Sequence, residues 1–332
     1  MIEEAIGLLR GNLSAILVSW IFGTVGVFAN IMVIGISLQN FLLKRARKTK
    51  YSKVHTILII NLAIADLFGA IYLLIIASAD RYYAFHHSSI FSCVFANKCH
   101  NATNIWINTP FCSLARFLAN IATHLPAYMT LFISIDRYSN IVKSHTPKCY
   151  NLAKWRIAFL TILAWLISIF VAFASSIRSN QVHNPHNFKT IINLCYFTDL
   201  DDPIFQIFAF LAFFMIIMSY ICTMALYVMI IEYIRRTRHR VIRFCANITA
   251  IQNRIETRLT LVTGILAITN LVSWLPLLIS FIAKFLRWPI MTFEFGYYFS
   301  VLSFLLIFVN CCVNPVSYMF LLSGRVKICS SY

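Results

Sequence analysis

FLANIATHLPAYMTLFISIDRYSN, residues 117–140, decides the fold. It is apolar for roughly five helical turns and then ends on Asp136, Arg137 and Tyr138. Charges are costly in hydrocarbon. An acid and a base placed directly after such a run mark the point where a helix leaves lipid.

The rest of the chain agrees with a membrane setting. Of its 332 residues, 60% are hydrophobic and 12% charged, with a mean hydropathy of +0.77. Soluble domains have about 45–50% apolar and about 25% charged residues. Seven stretches reach the roughly 20 residues that a crossing helix needs. They are residues 15–38, 54–79, 112–136, 156–177, 204–231, 259–283 and 297–322. Lipid satisfies no backbone polar group, so all seven must be helices. No ten-residue alternation suggests a barrel. The fold class is an all-α integral membrane bundle of seven helices. A short outer N-terminus (1–14), a seven-helix membrane domain (15–322) and a short inner tail (323–332) complete the expected organisation.

Basic residues orient the bundle. The net charge is +17. Lys44, Arg45, Arg47, Lys48, Lys50 and Lys53 fill the first inner loop, and Lys143, Lys148, Lys154 and Arg156 the second. Arg235, Arg236, Arg238, Arg240, Arg243, Arg254 and Arg258 fill or flank the third. Asp80, Asp199, Asp201, Asp202 and Glu294 fall on the opposite side. The positive-inside rule then puts the N-terminus outside and the C-terminus in the cytosol. The basic excess faces anionic lipid and a cytosolic partner, not nucleic acid. MIEEAIGLLRGN has no basic leader, so the first span is expected to act as its own insertion signal.

Cysteines and sequons follow this topology. Cys93, Cys99, Cys112 and Cys195 lie on the expected outer side, where disulfides persist. A Cys112–Cys195 bridge would pin the loop before the fifth span over the mouth of the third helix. Cys93 and Cys99 are candidates for a second, small loop. Cys222, Cys311 and Cys312 fall within spans. Asn12 in NLS and Asn101 in NAT are outer glycosylation candidates, whereas Asn247 in NIT lies inside and is rejected. Metal-ligand spacing is absent.

Polar residues inside the spans carry the functional signal. Asp66 in NLAIADLFGAIY lies mid-span and needs a partner in the bundle. Asn30, Asn310 and Asn314 are the candidates, as a packing network or as a water or sodium site. Pro276 follows Trp274 in SWLPLL, and Pro315 precedes Tyr318 in NPVSY. Two proline-bent helices beside aromatics suggest hinges with two packings. Arg137 is placed to pair with Asp136, and with Glu256 of NRIETRL if the inner ends of the third and sixth spans meet. Such a clamp would hold the inner mouth shut.

Together these stretches resemble the rhodopsin-like, or class A, G-protein-coupled receptors. The resemblance covers nearly the whole chain, with one motif per span in order: Asn30, NLAIAD, Cys112 through DRY, Trp165, WLP and NPVSY. It implies that Asp136, Arg137, Tyr138, Glu256, Tyr220, Asn314, Pro315 and Tyr318 serve G-protein coupling and switching. It implies a ligand pocket drawn from Arg116, Ala119, Asn120, Trp274, Phe281 and Phe308. It also implies a sodium or water site at Asp66, Asn30, Asn310 and Asn314. The residues after Tyr318 look like a short eighth helix along the membrane, with Cys329 a palmitoylation candidate.

The expected function is a plasma-membrane receptor that binds an extracellular ligand and activates heterotrimeric G proteins. Ala119 stands where amine receptors carry Asp, and Phe308 where retinal is held by Lys, so neither ligand is expected. The long outer loops, with Arg116, Arg178, Lys284 and Glu294 at the mouth, point to a peptide or protein. ADLFGAIYLLIIASAD and FVNCCVNP resemble the leucine-rich-repeat-containing receptors for glycoprotein hormones and relaxins. Ala212 replaces the usual fifth-helix proline, with Tyr220 eight residues on and Tyr227 a rival for its role. DRY departs from that subgroup, and Pro126 stands where a hydroxyl residue is typical beside the sodium site. No catalytic constellation or cofactor other than sodium is expected. A non-signalling scaffold or decoy and, more remotely, a transporter are the alternatives.

Overall fold

The computed structural model describes residues 8–9, 11–44, 53–86, 106–142, 147–181, 194–196, 203–241, 248–286, 288 and 294–329. At 147–154, 248–263 and 320–329 the description is of the backbone. Eight long helices are described: α1 (Leu13–Lys44), α2 (Lys53–His86), α3 (Pro110–Val142), α4 (Pro147–Gln181), α5 (Pro203–Val241), α6 (Ile248–Phe285), α7 (Glu294–Leu306) and α8 (Asn310–Cys329). A 3₁₀ turn, Ile307–Val309, joins α7 to α8, and these two helices form the seventh span. Seven segments are long and apolar enough to cross a bilayer. Six of the predicted stretches lie within α1–α6, and the seventh is divided between α7 and α8. The residues after Tyr318 stay helical as the continuation of α8 to Cys329.

α3 is the axis of the bundle, and it packs against α2, α4 and α5. Its sequence already differs from its neighbours': Asn120, Thr123, His124, Thr130 and Ser134 are interspersed with the apolar residues, and all are buried. α1 closes against α2 and the seventh span, and α6 against α5 and the seventh span. Lipid-facing rows explain the high hydrophobic content. Trp20, Phe28, Phe159, Phe170, Phe210 and Phe214 are large and exposed. In water such rows would be a liability, but in hydrocarbon they are the natural surface.

Close approach of α1 depends on glycine. A methyl group added at Gly26 would lie 2.8 Å from Ala70 Cβ and 2.9 Å from Cys311 Sγ. One at Gly23 would lie 2.9 Å from two side-chain carbons of Leu74. Small residues at these positions let helices pack closely where no water drives them together. The polar partners of the same interface follow from a proline. Pro315 has no N–H, so it cannot serve the carbonyl of Cys311 four residues earlier. The Asn30 amide takes its place, donating to Cys311 O at 2.7 Å and to Gly26 O at 2.8 Å.

Candidate functional site

The polar residues converge at three levels along the bundle. At the first level, Cys112 near the start of α3 is joined to Cys195 by a disulfide, with a Cα–Cα distance of 5.4 Å. Residues Leu194, Cys195 and Tyr196 are buried. Tyr72 donates its hydroxyl to Leu194 O at 2.9 Å, and Arg116 Nε donates to Cys195 O at 3.0 Å. The Tyr196 hydroxyl is 3.1 Å from Thr123 Oγ1, and its ring is 4.8 Å from that of Phe304. Burial pushes the Tyr196 phenol up to about 12, against a smaller opposing effect of the Thr123 hydrogen bond. It therefore remains a neutral hydroxyl at ordinary pH.

Most pocket candidates gather at this end. Ala119 is fully buried. The Asn120 amide donates to Arg116 O at 2.9 Å and lies 3.4 Å from Ser175 Oγ. Phe213 of α5 joins two candidates from α6, with ring centroids 5.7 Å from Trp274 and 5.1 Å from Phe281. Phe308 meets Tyr72 at 4.8 Å. Arg116 corrects an expectation: it does not line an open mouth but is 1% exposed, because its side chain turns inward under the Cys195 segment. The sequence reading also missed the segment before α1. Leu8 and Leu9 are fully buried, and the Leu9 N–H donates to Asp80 Oδ1 at 2.7 Å. Two leucines ahead of a sequon give no signal that separates such a wedge from a loose terminus.

Asn12 was expected to accept a glycan. Its Oδ1 accepts from the Ala15 N–H at 3.1 Å, so it caps α1, and its Nδ2 is 3.4 Å from Tyr298 O. Cys93, Cys99 and Asn101 lie outside the described residues.

At the middle level a small cavity is lined by Asp66, Thr123, Pro126, Tyr220, Asn270, Trp274, Phe308 and Asn310, among others. Asp66 is buried and accepts from Asn314 Nδ2 at 2.8 Å. Asn314 is thus the asparagine that bonds Asp66 directly. Asn310 instead donates to Ser273 Oγ at 2.6 Å, and Asn30 is committed to the carbonyls of Gly26 and Cys311. The four-residue cluster expected from sequence is therefore one direct pair, a cavity-lining neighbour and a separate helix tie. Asn270 Nδ2 is buried with no hydrogen-bond partner. Trp165, at the outside of this level, donates its indole N–H to Asn61 Oδ1 at 2.8 Å.

Tyr220 needs a register correction. It lines the cavity beside Trp274, not the end of the bundle that carries Asp136 and Arg137. Tyr227, seven residues on, packs with Ile230, Ala267, Tyr138 and Ile141. Seven residues advance a helix by about 10 Å, so the two tyrosines occupy different levels. The apolar run around them contains no proline or charge to set the register from sequence.

At the third level Arg137 Nη2 is 3.0 Å from Asp136 Oδ2, and both residues are buried. Asn140 Nδ2 donates to Asp136 Oδ1 at 3.1 Å, and His55 Nδ1 lies 3.9 Å from Asp136 Oδ2. His55 and Asn140 were missed. Asn140 is one helical turn after Asp136, a legible spacing, but His55 comes from α2 and only the fold brings it close. Tyr318 is half-buried against the cluster formed by α1, α2, α3 and α4. The side chains of Glu256 and Cys329 lie outside the described part.

The comparisons agree with this arrangement. Residues 29–318 match the family described as "7 transmembrane receptor (rhodopsin family)". The chain is 22% identical over 300 residues to the follicle-stimulating hormone receptor of Felis catus, covering 90% of this chain and 37% of that protein. It is 22% identical over 304 residues to relaxin receptor 1 of Homo sapiens, covering 90% and 36%. A third similarity, 30% over 118 residues, is to the G-protein coupled receptor GRL101 of Lymnaea stagnalis, covering 36% and 9%. The chain thus spans a little over a third of the length of the hormone receptors it matches. These relatives are receptors, not enzymes, and they include the hormone and relaxin subgroup to which the second and seventh spans point. The chain is a multi-pass membrane protein and belongs to the rhodopsin family of seven-transmembrane receptors.

Proposed function

We propose that the chain is a plasma-membrane receptor that converts binding of an extracellular peptide or protein into nucleotide exchange on a heterotrimeric G protein. The observation that carries this reading is the buried Asp136–Arg137 pair. It lies at one end of a bundle whose other end carries a disulfide-tied segment, with a small polar cavity between. Basic residues put the pair on the cytosolic side. Arg137 held by Asp136 would be the closed state, with Glu256 a second acceptor. Released, Arg137 would face the G protein together with Tyr138, Tyr227 and Tyr318. Asn314 and Pro315 would let the seventh span repack. Ligand would shift this equilibrium by its differential affinity for the two states.

The cavity is small, on the scale of a single water; a sodium ion there is proposed on the strength of Asp66, with Thr123 and Asn310 as lining residues that carry side-chain oxygens, while Pro126 offers none. Residues 1–14 would be outside and 323–332 inside. Cys93–Cys99 pairing, a glycan at Asn101 and a lipid at Cys329 complete the proposal. A scaffold that never signals is the second reading, and the intact DRY and NPVSY stretches argue against it.

The test is capture of a nucleotide-free G protein. Purified receptor in nanodiscs is incubated with members of each heterotrimer family while free nucleotide is enzymatically removed. Wild type should retain at least one heterotrimer, and Arg137→Ala should retain none. Equal retention by both would reject Arg137 as the coupling residue.

A further inference from the structure

Arg116 is the largest side chain buried to within 2% of completeness, and its own position on α3 does not explain it. Its Nε is satisfied by Cys195 O at 3.0 Å. Its Nη2 reaches only the Cys112 sulfur, at 3.9 Å, and its Nη1 has no hydrogen-bond partner. No described acid forms an ion pair with it. A buried cation with no counter-charge among the described residues is strongly unfavourable, which raises the question of what completes it.

The geometry narrows the answer. Guanidinium has two usable edges, and the Nε side is taken. The Nη1–Nη2 edge is the fork that receives two oxygens of one planar anion at once. A carboxylate matches that fork, whereas a single spherical anion does not. The lid beside this guanidinium is the Cys195 segment, a non-helical stretch held to the bundle by the disulfide and by the hydrogen bonds of Tyr72 and Arg116 to its carbonyls. Cys195 has a left-handed backbone, with φ of 58°, which is uncommon for a residue with a side chain and places local strain in the lid. One turn below, the Asn120 amide donates to Arg116 O and lies 3.4 Å from Ser175 Oγ.

We infer that Arg116 is a carboxylate-binding anchor beneath the Cys195 segment, taking an acidic group of the ligand on its Nη1–Nη2 edge. This rests on the receptor reading above and names the ligand's chemistry: an acidic side chain, a free C-terminus or a small organic acid.

The experiment is thermal unfolding of the purified receptor in nanodiscs, as wild type, Arg116→Gln and Arg116→Lys. Without any ligand, Arg116→Gln should unfold at the wild-type temperature or above it. The glutamine amide can still reach Cys195 O, and the uncompensated charge is gone. A clear fall in unfolding temperature would mean that the arginine is structurally satisfied, and would overturn the proposal. Sodium acetate, sodium hexanoate, N-acetylglutamic acid α-amide and an N-acetylated dipeptide with a free C-terminus are then titrated against sodium chloride at equal ionic strength. At least one carboxylate should raise the wild-type unfolding temperature saturably. Arg116→Gln should not respond, and Arg116→Lys should respond several-fold more weakly. The most effective probe distinguishes organic acid, side chain and terminus. No response to any carboxylate, an equal response to chloride, or an undiminished response in Arg116→Gln would each overturn the proposal. None of these readings needs a G protein, so a failure to couple and a failure of the anchor are separable.

Discussion

At the scale of single residues, two buried polar pairs set the balance between order and switching. Asp66 is buried and accepts from one protein donor, Asn314. Asn314→Ala should therefore destabilise the receptor by about 1–3 kcal/mol, read as a lower unfolding temperature in nanodiscs. An unchanged temperature would show that the pair contributes nothing. Sequence made Asp66 legible because an acid in mid-span is expensive wherever it occurs. Which asparagine answers it was not legible. Asn30, Asn310 and Asn314 are chemically alike, and only the packed bundle commits Asn30 to Cys311 and Asn310 to Ser273. The Arg137–Asp136 pair was legible as neighbours in the chain, whereas His55 required α2 to be folded against α3.

At the scale of helices, the joint between α1 and the seventh span is a proline defect repaired from outside. Pro315 strands the carbonyl of Cys311, and Asn30 supplies the missing donor. Asn30→Ala should cost about 1–3 kcal/mol. Adding Pro315→Ala should restore part of that loss, because the helix N–H returns to Cys311 O. A double-mutant cycle on unfolding temperatures measures the coupling, and strictly additive effects would disprove the repair. The same joint limits size at Gly26, whose added Cβ would meet Ala70 and Cys311. Gly26→Val should destabilise by about 1–3 kcal/mol through overpacking, with surface expression falling in step. Element existence was plain from seven apolar runs. Register within α5 was not, since Tyr220 and Tyr227 sit in a run of uniformly apolar residues whose faces only neighbours distinguish. The 3₁₀ turn at Ile307–Val309 likewise falls within a stretch, LLIFV, with no glycine or proline to announce it.

At the scale of the whole molecule, the described residues form a disulfide-tied outer half, a polar middle and an inner end with a buried ion pair, in the proposed orientation. The Cys112–Cys195 bridge spans 83 residues of chain. Its removal by Cys112→Ala with Cys195→Ala should cost about 2–5 kcal/mol, seen as a large drop in unfolding temperature. No drop would mean that Tyr72, Arg116 and Tyr196 hold the segment without it. The central claim is that Arg137 transmits this architecture to a G protein. The most direct measurement is the rate of guanine-nucleotide exchange across a panel of heterotrimers, in membranes carrying wild type or Arg137→Ala at matched surface expression. The account predicts exchange above that of receptor-free membranes for wild type with at least one heterotrimer, and a return to the receptor-free rate for Arg137→Ala. Wild-type exchange that never exceeds the receptor-free rate, or that survives the loss of Arg137, would contradict it.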